Sequence, residues 1–244
     1  MKDKKLPLSM HLKELRLRLL MSLISVLIFA FISFIYWQKI ISIIWSKDIN
    51  LIYISPQEAF LTRIKVSFIC GILLSVPVTL YQAWEFIKPA LTESEQKITL
   101  VLGTVSTILF FLAVYFNVFI VTPKITNFFL KSAQPVLTPL ISISSYTSFL
   151  LNMTIAFAFI SQFPLLMVLG STLGIVDSKV FIRNRRLIII FIFTLAAIIT
   201  PPDALSQLVL AVPMWGLYEF GLVLIKLLGK IDKKKQVKPV EGGL

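Results

Sequence analysis

Long runs without a charged residue dominate this chain, and they constrain its fold more than any other feature. Leu19 to Gln38 carries none, nor do Val66 to Trp84, Ile98 to Pro123 or Leu187 to Ile199. A helix of about 20 predominantly apolar residues crosses the hydrocarbon core of a bilayer. Ser132 to Val176 is also uncharged but too long for one span. Pro135 and Pro139 break its first part, which predicts a helix from about Thr147 to Gly170. Ala204 to about Ile225 supplies a further span, with Glu219 near its end. The chain is 57% apolar and 15% charged. A water-soluble fold of this length does not hide so much apolar surface. The first run is too long for a cleavable signal, and no small-residue cleavage site follows it. The expected fold class is therefore all-α: a polytopic membrane protein of six transmembrane helices.

Six spans put both termini on one side, and the basic residues identify that side. Of the 24 Lys and Arg, 18 fall in the N-terminal segment, the 85–97 and 173–186 loops and the tail. Only Lys39, Lys47, Arg63, Lys65, Lys124 and Lys131 lie opposite. The positive-inside rule places both termini in the cytoplasm. The net charge of +12 follows from this asymmetry. It does not indicate nucleic acid, which would call for a soluble basic domain.

The reactive inventory is sparse. Cys70 is the only cysteine and lies inside the second span, which suits a small apolar packing role. His11 is the only histidine, so His-based metal clusters are excluded and a His-dependent triad is not expected. No phosphate-binding GxxxxGK[ST] loop is present. The chain is read as a non-enzyme without metal or cofactor, whose energy comes from a gradient or a partner. The rival reading is a small-solute secondary transporter, but neither paired intramembrane charges nor an inverted repeat is visible.

Three regions follow. Residues 1–18 form an interfacial helix, with Leu12, Leu15 and Leu19 on one face and charges on the other. Residues 19–225 form the six-span domain. Residues 226–244 form a basic tail, read as disordered. The loop from Lys39 to Thr62 is expected to hold a second interfacial helix around Trp45. The last two spans are short and joined by Thr200-Pro201-Pro202-Asp203, with Asp203 as the expected helix cap. The 85–97 loop is the one cytoplasmic connection with more acid than base: Glu85, Glu93 and Glu95 against Lys88 and Lys97. In so basic a chain, an acidic inner loop suggests a cationic ligand.

Three blocks carry a family resemblance. The first is His11-Leu12-x-Glu14-Leu15-Arg16-x-Arg18-Leu19. The second is Ser55-Pro56-Gln57-Glu58-Ala59-Phe60, then Lys65, Gly71, Pro77 and the run from Tyr81 to Leu91. The third is Thr200-Pro201-Pro202-Asp203 with Gln207, Pro213 and Leu217-Tyr218-Glu219. In this order the blocks resemble TatC, the signal-peptide receptor subunit of the twin-arginine protein translocase. The resemblance implies a cupped bundle that binds twin-arginine signal peptides of folded precursors. It also implies recruitment of single-span TatA/TatB-type subunits for export driven by the proton-motive force. A homo-oligomeric receptor complex in the bacterial cytoplasmic membrane is expected, with an organellar membrane as the alternative.

Each matched residue also has a local reading. Glu14 pairs with Arg18 at i,i+4 on a helix; the resemblance makes it an acceptor for the signal's arginines, beside Arg16. Thr92-x-x-Glu95 is a capping box where the third span starts; the resemblance makes Glu95 a principal arginine contact. Phe86, Pro89 and Leu91 match loop residues that shape this site, and each also fits plain packing. Gln162, two residues before Pro164, is a polar group at membrane depth. Many family members carry glutamate there; glutamine keeps hydrogen bonding but not titration. Thr200 and Gln207 match positions for partner docking, or else serve internal helix packing. Arg63 and Lys65 are expected to snorkel to the interface.

Overall fold

A computed structural model of the chain describes residues 8–45, 51–133, 140–172, 176–199 and 204–236. Helix α1 (Leu8–Ile35) is followed by α2 (Trp37–Ile44), strand β1 (Leu51–Ile52) and α3 (Pro56–Ile87). A 3-10 turn (Lys88–Ala90) leads to α4 (Glu93–Phe116), a π-helical turn (Asn117–Val121) and α5 (Thr122–Ala133). Then come β2 (Ile141–Ser142), α6 (Ile143–Ile160), α7 (Phe163–Thr172), α8 (Ser178–Arg183), α9 (Arg185–Ile199) and α10 (Ala204–Gln236). Among the described residues, five segments are long and apolar enough to cross a membrane: Met10–Ile35, Pro56–Ala90, Glu95–Lys131, Ile143–Ser171 and Ser206–Lys226. Helix α9 has 15 residues. At about 1.5 Å per residue it falls short of a hydrocarbon core of about 30 Å. The chain divides into two compact units, Met1–Ile155 and Ala156–Leu244.

The first unit is built around the pairing of α1 with α3. Gly71 sits where the two helices touch: a methyl group there would lie 2.7 Å from the Cα, Cβ and N of Ala30. The lack of a side chain lets the backbones meet, as small residues do between helices in membranes. Arg63 seals one end of the pair, its Nη2 donating to the Phe34 carbonyl at 2.9 Å and its guanidinium lying over the Phe34 ring. Lys65 donates to Ser148 Oγ at 2.9 Å. Both basic groups thus have defined partners as well as an apolar stem. Val66, Tyr146, Leu150 and Leu151 form a core, against which Trp37, Ile40 and Ile44 of α2 pack. By contrast, Leu23, Leu27, Phe31 and Ile35 of α1 are all more than half exposed, as residues facing lipid are.

Helix α1 runs unbroken through Arg18, so the expected interfacial segment and first span are one helix from Leu8 onward. Trp45 caps the end of α2 instead of lying within it. Pro123, the last residue of the uncharged Ile98–Pro123 run, does not interrupt the helix. The π turn carries the helix past this residue, whose ring nitrogen has no hydrogen to donate. The turn coincides with a buried polar network. Asn117, fully buried, donates from Nδ2 to Thr154 Oγ1 at 2.8 Å, and that hydroxyl donates to the Leu150 carbonyl at 2.8 Å. An amide at membrane depth has no water to turn to, so internal partners are obligatory.

A two-residue parallel ladder pairs Leu51 with Ile141 and Ile52 with Ser142. Glu58, in the first turn of α3, holds it in place. Its Oε2 accepts from Ile54 N–H at 2.7 Å, and its Oε1 accepts from Ser144 N–H at 3.1 Å and from the Ser142 hydroxyl. One carboxylate thereby ties the loop before α3 to the start of α6. Glu58→Gln keeps the shape but turns one acceptor into a donor facing N–H groups. Disulfide formation in a Leu51→Cys/Ile141→Cys pair is expected to slow severalfold in that background. An unchanged rate would show that the ladder stands without Glu58.

In the second unit α10 presents Leu210, Met214, Tyr218 and Leu222, all nearly inaccessible and spaced four apart. Helix α7 packs on this stripe with Met167 and Val168 buried. The predicted 147–170 helix is broken: α6 ends at Ile160, and Ser161-Gln162 form a turn before α7. Pro164 explains the break, because its ring displaces the preceding turn while suiting the first turn of a new helix. Helix α10 continues past Lys226 to Gln236, so part of the tail is helical. Thr200, Pro201, Pro202 and Asp203 lie outside the described residues.

Candidate functional site

The antiparallel crossing at Ala30 and Gly71 delivers the N-terminal part of α1 against the C-terminal part of α3. There the charged residues of the first and second sequence blocks meet. Glu14 Oε1 accepts from Arg18 Nη2 at 2.5 Å and from Nε at 3.1 Å, the i,i+4 pair expected from sequence. The same guanidinium reaches α3: Nη1 donates to Gln82 Oε1 at 3.4 Å, and Nη2 lies 3.9 Å from Glu85 Oε2. Glu85 in turn accepts from Lys88 Nζ at 3.0 Å, and Lys88 lies over the Trp84 ring. His11 stacks on Phe86 with centroids 4.4 Å apart. Arg18 is therefore a resident guanidinium held between two carboxylates and an amide.

The 3-10 turn then carries the chain to α4. Leu91 is buried and donates from its N–H to the Lys88 carbonyl, while Pro89 is exposed on the turn. Gln96 Nε2 donates to the carbonyls of Lys88 and Leu91, both at 3.1 Å, fixing the turn to the first turn of α4. Glu95 completes the capping box: its Oε2 accepts from Thr92 N–H and from the Thr92 hydroxyl, both at 2.8 Å. None of the ion pairs among the described residues involves Glu95. Its charge is oriented by neutral donors and left uncompensated. Glu14, in contrast, is already neutralised by Arg18. Arg16 is exposed on another face of α1, beside a shallow groove formed with Leu12, Leu15 and Leu19.

The other sequence candidates lie in the second unit. Gln162 sits in the turn between α6 and α7, its Nε2 donating to Ser161 Oγ at 3.2 Å. Gln207 donates to the Phe193 carbonyl at 3.1 Å, joining α10 to α9. Sequence reading did not single out Arg185, which pairs bidentately with Glu219, itself accepting from Trp215 Nε1 at 3.1 Å. The signal was available, since Glu219 is the one acid in its span and Arg185 opens the preceding helix. Asn117 was also missed; a lone amide within the Ile98–Pro123 run was its only mark.

The fold and this cluster define a polytopic helical membrane protein with an oriented acidic site at one end of α1, α3 and α4. Residues 10–213 match the family described as Sec-independent protein translocase protein (TatC), and the chain belongs to that family. A relative from Carboxydothermus hydrogenoformans, named Sec-independent protein translocase protein TatC, is 33% identical over 93% of this chain and 96% of its own. One of the same name from Haemophilus influenzae is 36% identical over 97% of this chain and 95% of its own. A crystal structure of the twin-arginine translocase receptor TatC in DDM superposes with a TM-score of 0.78 at 33% identity, covering 88% of this chain and 98% of that one.

Proposed function

We propose that this chain is the receptor and core component of a twin-arginine translocase, and that it binds the arginine pair of signal peptides on folded precursors. The observation that carries the reading is the Glu95 carboxylate, aimed by the capping box and, among the described residues, unpaired with any cation, while its neighbour Gln96 fixes the turn that ends α3. Glu14 serves as second acceptor once Arg18 yields. Phe86, Pro89 and Leu91 shape the turn, and Arg16, on another face of α1, would meet the peptide away from the two carboxylates. Single-span TatA/TatB-type subunits would dock near Thr200 and Gln207, where the short α9 leaves part of the bilayer thickness to be matched by a neighbouring helix. A multi-pass protein of the bacterial cytoplasmic membrane, oligomeric within its receptor complex, fits the bacterial relatives. Export would then be driven by the proton-motive force.

The reading distinguishes arginine from mere positive charge. Guanidinium offers a planar fork that a carboxylate accepts through two parallel bonds, whereas the lysine ammonium is a point charge. A peptide with Lys-Lys in place of Arg-Arg is expected to bind about tenfold more weakly at equal net charge. Equal affinities in equilibrium titration would reduce the site to a nonspecific cation trap.

A further inference from the structure

Basic residues gather where α8 meets α9, and they do so below the level at which α10 regains its charges. Arg185, the first residue of α9, donates from Nε to Glu219 Oε1 at 2.8 Å and from Nη2 to Oε2. Glu219 lies in the middle of α10, and residues 220–225 carry no charge before Lys226. At 1.5 Å per residue, the ion pair sits about 10 Å inside the level of Lys226. The Tyr218 hydroxyl donates to the Phe181 carbonyl at 2.7 Å and holds α8 at the same depth. Protein does not cover the pair: the Arg185 side chain is 51% exposed and that of Glu219 28%. Leu187 on α9 and Val223, one turn beyond Glu219 on α10, are 64% and 50% exposed. Charges on a lipid-facing surface at such a depth are costly unless the bilayer thins and headgroups reach them.

Charge identifies what reaches them. Lys179, Arg183 and Arg186 are exposed, and none forms an ion pair among the described residues. The two acids nearby are already engaged. Asp177 caps α8 by accepting from the Lys179 N–H at 2.9 Å, and Glu219 accepts from Arg185 and from Trp215 Nε1. Positive charge is therefore in excess at the elbow, and three of its four carriers are guanidinium forks or ammonium groups free to donate. A guanidinium matches two phosphate oxygens at once. We infer that the α8–α9 elbow binds the phosphate of an anionic phospholipid, with Arg183 and Arg186 as its main donors and the acyl chains lying along Leu187 and Val223. The short α9, 15 residues long, gives the headgroup its depth, because the leaflet thins to meet it. A lipid fits this surface better than an acidic protein segment, since the basic cluster runs directly into an exposed apolar wall. The site shares no residue with the acidic site of α1, α3 and α4 or with Thr200 and Gln207.

Photolabelling of the full chain in phosphatidylcholine nanodiscs tests the site, with a trace of phosphatidylglycerol carrying a photoreactive acyl chain. Labels are expected in α9 and α10 around Leu187 and Val223. Excess unlabelled phosphatidylglycerol should compete them away, whereas further phosphatidylcholine or millimolar inorganic phosphate should not. Arg183→Gln combined with Arg186→Gln should weaken competition by phosphatidylglycerol about tenfold, at a few-fold for each basic group near the surface. Both side chains are exposed, so the double variant should accumulate and unfold as the parent does. Arg183→Lys with Arg186→Lys, which keeps the charge but not the fork, should fall between the two. Equal competition by phosphatidylcholine would reduce the labelling to ordinary lipid contact and overturn the inference. So would competition by the parent and the double glutamine variant at the same concentration. Displacement of the label by inorganic phosphate would show an anion site that needs no lipid. Displacement by an acidic peptide at lower concentration than by phosphatidylglycerol would give the elbow to a protein partner. Either result would also overturn the lipid assignment.

Discussion

Glu95→Gln is expected to weaken binding of a twin-arginine peptide by about tenfold or more, and Glu14→Gln by less. The asymmetry comes from what each carboxylate does before the ligand arrives. Among the described residues Glu95 holds Thr92 alone, through an N–H and a hydroxyl, and its charge has no ionic partner. An incoming guanidinium adds to those contacts without displacing one. Glu14 already accepts twice from Arg18, whose guanidinium is also anchored by Gln82 and Glu85. A ligand arginine must therefore exchange with Arg18, and the exchange returns only part of the interaction. Glutamine at position 95 keeps the side-chain length and can still accept from the Thr92 backbone, so membrane accumulation should stay near normal. Thr92→Ala supplies the control, since it removes a capping hydroxyl and leaves the charge. A purely structural role for Glu95 predicts equal effects of Thr92→Ala and Glu95→Gln on accumulation and none on affinity per folded molecule. A larger loss at Glu14 than at Glu95 would mean that Arg18 moves without cost.

Gly71→Leu should lower stability by about 1–3 kcal/mol, the usual penalty for overfilling a packed contact, and should weaken peptide binding as well. Even a methyl group at Gly71 would stand 2.7 Å from backbone atoms of Ala30, so the helices must move apart. The binding defect follows because α1 and α3 form a lever. Arg18 and Gln82 lie nearly equal numbers of residues away from the crossing on the two antiparallel helices. A shift at the crossing is thus transmitted to the acidic site. Gly71→Ala should give a smaller defect, and Ala30→Gly should rescue it in part by clearing one of the clashing atoms. Thermal unfolding in detergent together with peptide titration reads both effects. Full stability of Gly71→Leu would show that the two helices are not held at this distance.

Local features of the site were legible in the sequence because their partners lie within a helical turn or two. The Glu14–Arg18 pair and the Thr92–Glu95 box follow from i,i+4 and i,i+3 spacing alone. Apolar run length likewise located the helices, since the bilayer imposes it. What spacing does not carry is which distant residues share the site. Gln82 and Glu85 meet Arg18 only through the register fixed at Gly71, and Asn117 finds Thr154 only through packing of another helix. Proline was an uneven guide, since the helix expected across residues 147–170 takes no account of Pro164. It broke α6 from α7 at Pro164, yet at Pro123 the chain absorbed it through a π turn, because helices in apolar surroundings keep their remaining backbone hydrogen bonds at almost any geometric cost.

The central claim is that the arginine pair docks at the end of α1, α3 and α4. The most direct measurement is site-specific photocrosslinking of a twin-arginine peptide to the full chain in membranes, with a photoreactive residue replacing Lys13, Lys97 or Tyr53 in turn. The account predicts strong crosslinks from positions 13 and 97 that excess unlabelled peptide abolishes and that Lys-Lys substitution in the peptide weakens. It predicts only background from position 53, in the loop before α3. Crosslinks from position 53 that match or exceed those from 13 and 97 would contradict it.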